Sequence, residues 1–186
     1  MTDVATDCPE FELEARDTEL AISLWNQKAK QFGKPPPIAE CALVAFASGA
    51  FRFVICADLL VGEDSVFLTY GPGFAKLLRL PERPAMHVPM LRYISDRYRF
   101  LFAEGCSEAI AEAAPVRFSG EITGAEGGAE LYRACFMPLQ MRNKNLQAIY
   151  GSFNYVTRPT AELREQSGYL GFTETGGSFP RRYLAQ

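Results

Sequence analysis

The chain has 186 residues, 48% of them hydrophobic and 22% charged, an ordinary globular composition and the length of one domain. A chain of this size buries roughly 70% of the surface it exposes when unfolded, so it needs neither disulfide nor metal to hold a core. A net charge of -3 and a pI near 5.3 exclude an overall basic face, and with it broad binding to nucleic acid or anionic membrane.

Residues 1–18 read as an acidic lead-in without the apolar stretch of a signal peptide. Within it, Phe11 and Leu13 alternate with Glu12 and Glu14 as in a brief strand. Asp17 or Thr18 is placed to cap a helix, since a side-chain oxygen there accepts a free backbone N–H. Apolar residues then recur near a 3.6 period at Leu20, Ile22, Leu24, Trp25, Ala29 and Phe32, and Gly33 followed by Pro35, Pro36 and Pro37 ends the helix. Residues 38–50 are apolar and Ala-rich, a short helix or turn. Two strands are expected at 51–61 and 65–70, linked by a turn containing Gly62 and Asp64. Residues 71–78 turn into a short helix, and Pro81, Pro84 and Pro89 make 79–92 irregular. A second long helix is expected over 91–105, continued at 107–114 and closed by Pro115. Period-two alternation starts at Val116 and marks a half-buried strand to Thr123. Strands at 130–140 and 146–156 complete a meander, antiparallel because its connections are short. Residues 158–186 have a weak pattern with several Gly and Pro, and read as a C-terminal extension with mobile parts.

The order of helix, two strands, helices and three strands suits an α+β antiparallel sheet with helices over one face. Five cysteines (Cys8, Cys41, Cys56, Cys106, Cys135) at irregular spacing, without a CxxC pair, suit reduced thiols in a cytosol, where cysteine packs as a small hydrophobe. The longest apolar run, 41–60, is broken by Ser48, Gly49, Arg52 and Asp58, whereas a spanning helix needs ~20 predominantly apolar residues. The expected location is the cytoplasm, with no nucleic acid or membrane among the partners.

Several strings, in this order and spacing, resemble PAS domains, and more narrowly the compact standalone PAS proteins of α-proteobacteria. They are Leu24-Trp25 with Gly33-Lys34-Pro35, Phe51-Arg52-Phe53 with Phe67-Leu68-Thr69-Tyr70-Gly71, and Tyr98-Arg99-Phe100-Leu101-Phe102-Ala103-Glu104-Gly105 before Ala114-Pro115-Val116. Tyr132-Arg133-Ala134-Cys135-Phe136-Met137-Pro138-Leu139 and Ile149-Tyr150-Gly151-Ser152-Phe153 complete the set. The resemblance covers residues 19–157. It implies a five-stranded antiparallel sheet with helices packed on one face, preceded by an N-terminal helix. It further implies a sensory or interaction module, not an enzyme, that couples a small ligand or partner protein to dimer or output contacts. A homodimer through the N-terminal helix and the sheet, with Trp25 and its neighbours supplying contact, is the expected assembly.

The residues nominate few sites. An apolar ligand pocket between helices and sheet would draw on Tyr93, Tyr98, Phe102, Phe118, Phe136, Tyr150, Ser152 and Asn154, given that even-numbered positions of the last two strands face inward. Aromatics also dominate ordinary cores, so each has a packing role to set against this one. His87, the single histidine, is the nominee for a haem ligand, but it stands in a Pro-flanked loop. No cofactor is required, haem is disfavoured, and no cysteine stands in a flavin-attachment setting. Arg92, Arg97 and Arg99 nominate an anion contact through their planar donor forks, against the simpler role of a solvated helix face. No GxSxG, HExxH or phosphate-loop spacing is present, Gly71-Pro72-Gly73 included. The alternative reading is an enzyme or carrier with a cone-shaped, ketosteroid-isomerase-like α+β fold, for which Asp58 and His87 are the nominees as base.

Overall fold

A computed structural model describes residues 9–45, 51–57, 65–81, 88–123, 128–141, 147–158 and 181–184. The chain orders itself as α1 (Pro9–Phe32), α2 (Ile38–Ala45), β1 (Arg52–Ala57), β2 (Val66–Tyr70), α3 (Pro72–Leu78) and β3 (Val88–Pro89). It continues with α4 (Met90–Tyr93), α5 (Asp96–Glu112), β4 (Val116–Thr123), β5 (Ala129–Leu139), β6 (Gln147–Arg158) and β7 (Arg181–Leu184). No helix among the described residues is long and apolar enough to cross a membrane.

The seven strands among the described residues form one sheet in the order β3-β2-β1-β6-β5-β4-β7, antiparallel throughout. The five expected strands are its centre. Two more were not legible: β3 is a two-residue pairing of Val88 and Pro89 with β2. β7 lies inside the stretch read as an extension and pairs Arg181–Leu184 with β4. The lead-in also differs. Residues from Pro9 onward are helical, so Asp17 is interior to α1 and not its cap. The second long helix is divided, because Ile94 takes extended backbone between α4 and α5. Gly33 closes α1 at φ 99, a left-handed conformation that glycine adopts without a Cβ clash.

Helices cover both faces of the sheet, correcting the expectation of one. On the first face, α3, α4 and α5 pack over Phe53, Phe67, Phe118, Phe136, Ile149 and Phe153. On the second, α1 and α2 lay Ala21, Ile22, Trp25, Ala29 and Cys41 on Val54, Cys135, Met137, Leu139, Ala148 and Tyr150. Trp25 is fully buried there, and its indole N–H donates to the Pro138 carbonyl at 2.7 Å. This placement removes Trp25 from any contact with a second copy. Among the α1 residues whose side chains are described, Leu20 and Phe32 are exposed large apolar ones.

Candidate functional site

Strand register decides which expected site residues meet. Phe136 pairs with Gly151, and Cys135 with Ser152. Phe136 belongs to the core under α5, Cys135 to the one under α1. Side chains alternate along a strand, so Tyr150, Ser152 and Asn154 point to the α1 side. Even positions of β5 and even positions of β6 thus lie on opposite faces, and the expected eight-residue pocket is divided by the sheet.

Tyr98, Phe102, Phe118 and Phe136 do share one core, with Tyr93 packed at its margin. Their rings touch one another or a shared neighbour. Phe102 lies 5.4 Å from Phe136 and 5.3 Å from Phe153, and Tyr98 lies 4.8 Å from Phe153 between ring centroids, the separations of packed aromatic pairs. A Cβ on Gly105 would overlap the Phe136 ring, and one on Gly151 would overlap the Phe53 ring. Rings and backbone are therefore in close contact at both glycines.

A polar trio borders this core. The Tyr98 hydroxyl donates to Glu130 Oε2 at 2.5 Å, and Arg97 Nη1 pairs with Glu130 Oε1 at 2.9 Å. Burial, reinforced by the hydrogen bond to Glu130, pushes the Tyr98 hydroxyl well above the usual tyrosine range. Of the arginines nominated as anion contacts, Arg97 is engaged by Glu130 and Arg99 by Asp96 at 2.8 Å, while Arg92 lies over the Tyr93 ring. The structure does not gather the three around one point of ligand contact. His87 and Asp58 lie outside the described residues.

Sequence reasoning passed over a second polar group, on the α1 face. Arg52 of β1, only 4% exposed, donates from Nε and Nη2 to Asp17 Oδ1 at 3.0 and 2.8 Å. Ser152 donates to Asp17 Oδ2 at 3.2 Å. Farther along, both terminal nitrogens of Arg117 donate to the Glu19 carboxylate, at 2.6 and 2.9 Å. Cross-strand pairing lines up Arg52, Ser152, Cys135 and Arg117 in one row, with Asn154, Arg133 and Ser119 in the next. The α1 face is thus apolar under Trp25 and polar under Asp17 and Glu19. Burial opposes the Arg52 charge, but neighbouring Tyr150 and Asp17 outweigh it and hold the guanidinium above its ordinary range. A signal was present in the sequence: Arg52 is a charge inside an apolar strand, and such a charge needs a partner when buried.

Cys41, Cys106 and Cys135 are buried thiols outside any disulfide. Burial pushes Cys41 to about 11 and Cys135 to about 12, and raises Cys106 further. Among the described residues no group of three or more His, Cys, Asp or Glu could hold a metal.

The thiols of Cys41, Cys106 and Cys135 and the buried hydroxyls of Tyr98 and Tyr150 shift upward. Groups whose folded pKa is raised contribute stability below the unfolded pKa and lose it as pH climbs toward the folded one. Cys135 ionises near 9.0 when unfolded and near 12 when folded. Stability should therefore be flat up to about pH 9 and fall above it, by roughly 2 kcal/mol for Cys135 alone at pH 10.5. Urea midpoints measured across this range check it; a midpoint that holds through pH 10.5 would mean these groups ionise within the folded protein.

No family model matches the chain, and no curated protein does. Solved structures do show similarity. VqmA bound to DPO is 13% identical over 62% of this chain and 57% of that one, with a TM-score of 0.44. An RNA-binding light-oxygen-voltage receptor is 18% identical over 64% of this chain and 35% of that one, with a TM-score of 0.38. The chain thus spans less than two thirds of the length of either. The PAS domain of an HTR-like protein from Haloarcula marismortui is 10% identical, covering 80% of this chain and 98% of that domain, with a TM-score of 0.32.

Proposed function

We propose that the chain is a PAS-like signalling module without catalysis of its own, acting through a partner protein or a second copy with α1 as the transmitting element. The observation that carries this is the mixed seat of α1. One half is an apolar seat around Trp25, and the other is the set of ion pairs from Asp17 and Glu19 to Arg52 and Arg117. Charged and hydrogen-bonded contacts of this kind respond to a neighbouring partner or ligand, whereas an apolar seat alone changes little with surroundings. The ring packing under α5 supports the same reading, because a large resident cofactor there would have to displace touching rings.

Leu20 of α1 is 60% exposed and Phe32 is 43% exposed, which gives a partner or second copy apolar ground on this helix. The test is an absorption spectrum and a native mass of freshly purified protein. The expected outcome is no Soret or flavin band, and either the bare mass or twice that mass, with Leu20→Glu returning a doubled species to the single mass. A coloured protein, or a mass excess lost on denaturation, would replace this reading with that of a cofactor-bearing sensor.

A further inference from the structure

Among the described residues, three buried polar groups on the α1 face lack a hydrogen-bond partner, the Tyr150 hydroxyl being one. Arg117 Nε and Asn154 Nδ2 have no hydrogen-bond partner, although the other Arg117 nitrogens are engaged. Native proteins leave few buried donors bare, because each forfeits its water without compensation. The two stand close in the strand register. Asn154 is directly opposite Arg133, and Arg133 is directly opposite Ser119, two residues along β4 from Arg117. A groove of about 310 Å³ opens beside Arg117, lined by Thr18, Glu19, Arg117, Ser119 and Arg133 among others, with Asn154 one strand away and outside its lining.

The donors of the lining are the Arg117 guanidinium and the hydroxyls of Thr18 and Ser119, with the Arg133 guanidinium beside them. Among the described lining residues the carboxylate is Glu19, whose side chain is 60% exposed and takes up the Arg117 fork. An arginine fork matches the two oxygens of a carboxylate or phosphate, so Glu19 occupies the position that an incoming anion would take. An exposed ion pair of this sort is weak enough to exchange.

We propose that this groove binds a small molecule bearing a carboxylate or phosphate group, which displaces Glu19 from Arg117. The site lies on the sheet face opposite the aromatic core and shares the Glu19–Arg117 pair with the α1 seat, so as a route to α1 it rests on the signalling reading, while anion binding itself is tested apart from it. Glu19 is a built-in competitor that tunes the affinity.

The test follows the Arg117 Nε–H signal by NMR while the full chain is titrated with inorganic phosphate, and separately with succinate. Chloride at matched ionic strength is the control. A saturable shift is expected with at least one of the two anions, and the one that binds tighter distinguishes phosphate from carboxylate chemistry. Glu19→Gln should tighten that binding by about fivefold, the scale of an exposed ion pair removed from competition. Arg117→Gln should abolish the saturable response in a protein whose melting still shows a cooperative fold; if it unfolds, Arg117→Lys should weaken binding while keeping the charge. Drift no larger than that with chloride in both wild type and Glu19→Gln would overturn the proposal, as would full binding retained in Arg117→Gln.

Discussion

Replacing Trp25 by Ala should cost about 3–5 kcal/mol of stability, the range for truncating a large buried aromatic. Trp25 has no exposed surface and sits among Ile22, Ala29 and Cys41 on its own side and Val54, Met137 and Leu139 of the sheet. Removing the indole opens a cavity that a helix and a sheet cannot both collapse to fill. It also leaves the Pro138 carbonyl without the donor now 2.7 Å away. Trp25→Phe largely separates the two contributions, since it keeps most of the apolar volume and removes the N–H with a small part of the ring system. Its expected cost is about 1–3 kcal/mol, that of a buried acceptor left bare. Urea unfolding followed by circular dichroism measures both variants. Losses below about 1 kcal/mol in each would mean that α1 contributes little to the stability of the folded state.

The ion pair between Asp17 and Arg52 should show a larger penalty when broken than when replaced. Their side chains are 15% and 5% exposed, so Asp17→Ala strands a buried guanidinium without its carboxylate. The expected loss is about 3–5 kcal/mol. The double variant Asp17→Leu with Arg52→Met removes both charges together. It should recover most of the loss, because an apolar pair of similar volume is often neutral or better than a buried ion pair. Denaturant midpoints of the single and double variants decide the matter through their coupling. A double variant as unstable as Asp17→Ala would show that the position needs the ion pair for its geometry and not only for charge balance. Amide exchange along α1 would then show whether the helix loosens alone or the whole domain unfolds with it.

The two expected losses rest on contacts that differ in how far the sequence revealed them. Trp25 stands on a 3.6-residue apolar stripe that predicts a buried helix face, and that face is buried. What it packs against was not legible, and a seat on the sheet of its own chain displaced the expected contact with a second copy. Asp17 carries the features of a helix cap, since Asp before an apolar run usually marks a start. The helix instead begins at Pro9, and Asp17 is held by Arg52, 35 residues away. No local pattern encodes that partner.

Strand β6 gives the same lesson for the site. Ala148 through Asn154 are all buried, because helices cover both sheet faces, and a strand buried on both sides loses the period-two signal. Without that signal the inward face of β6 could not be chosen, and Tyr150, Ser152 and Asn154 were assigned to the wrong side of the sheet. β4 kept an alternating pattern over its first residues, and its Phe118 was placed on the side where it lies.

The sequence by itself determined the order of the elements, the long helix through residues 19–32, the antiparallel meander of β4, β5 and β6, and the apolar identity of the aromatic core. Each of these follows from interactions between near neighbours: helical or strand periodicity, prolines and glycines at the breaks, and short connections that permit only antiparallel return. The tertiary structure alone decided that α1 crosses the second face, that β3 and β7 extend the sheet, and that Arg52, Arg117 and Asn154 stand along one polar strip. Those outcomes depend on register and on pairings across 35 to 113 residues, where shifting a strand by a single residue exchanges every side chain between the two faces.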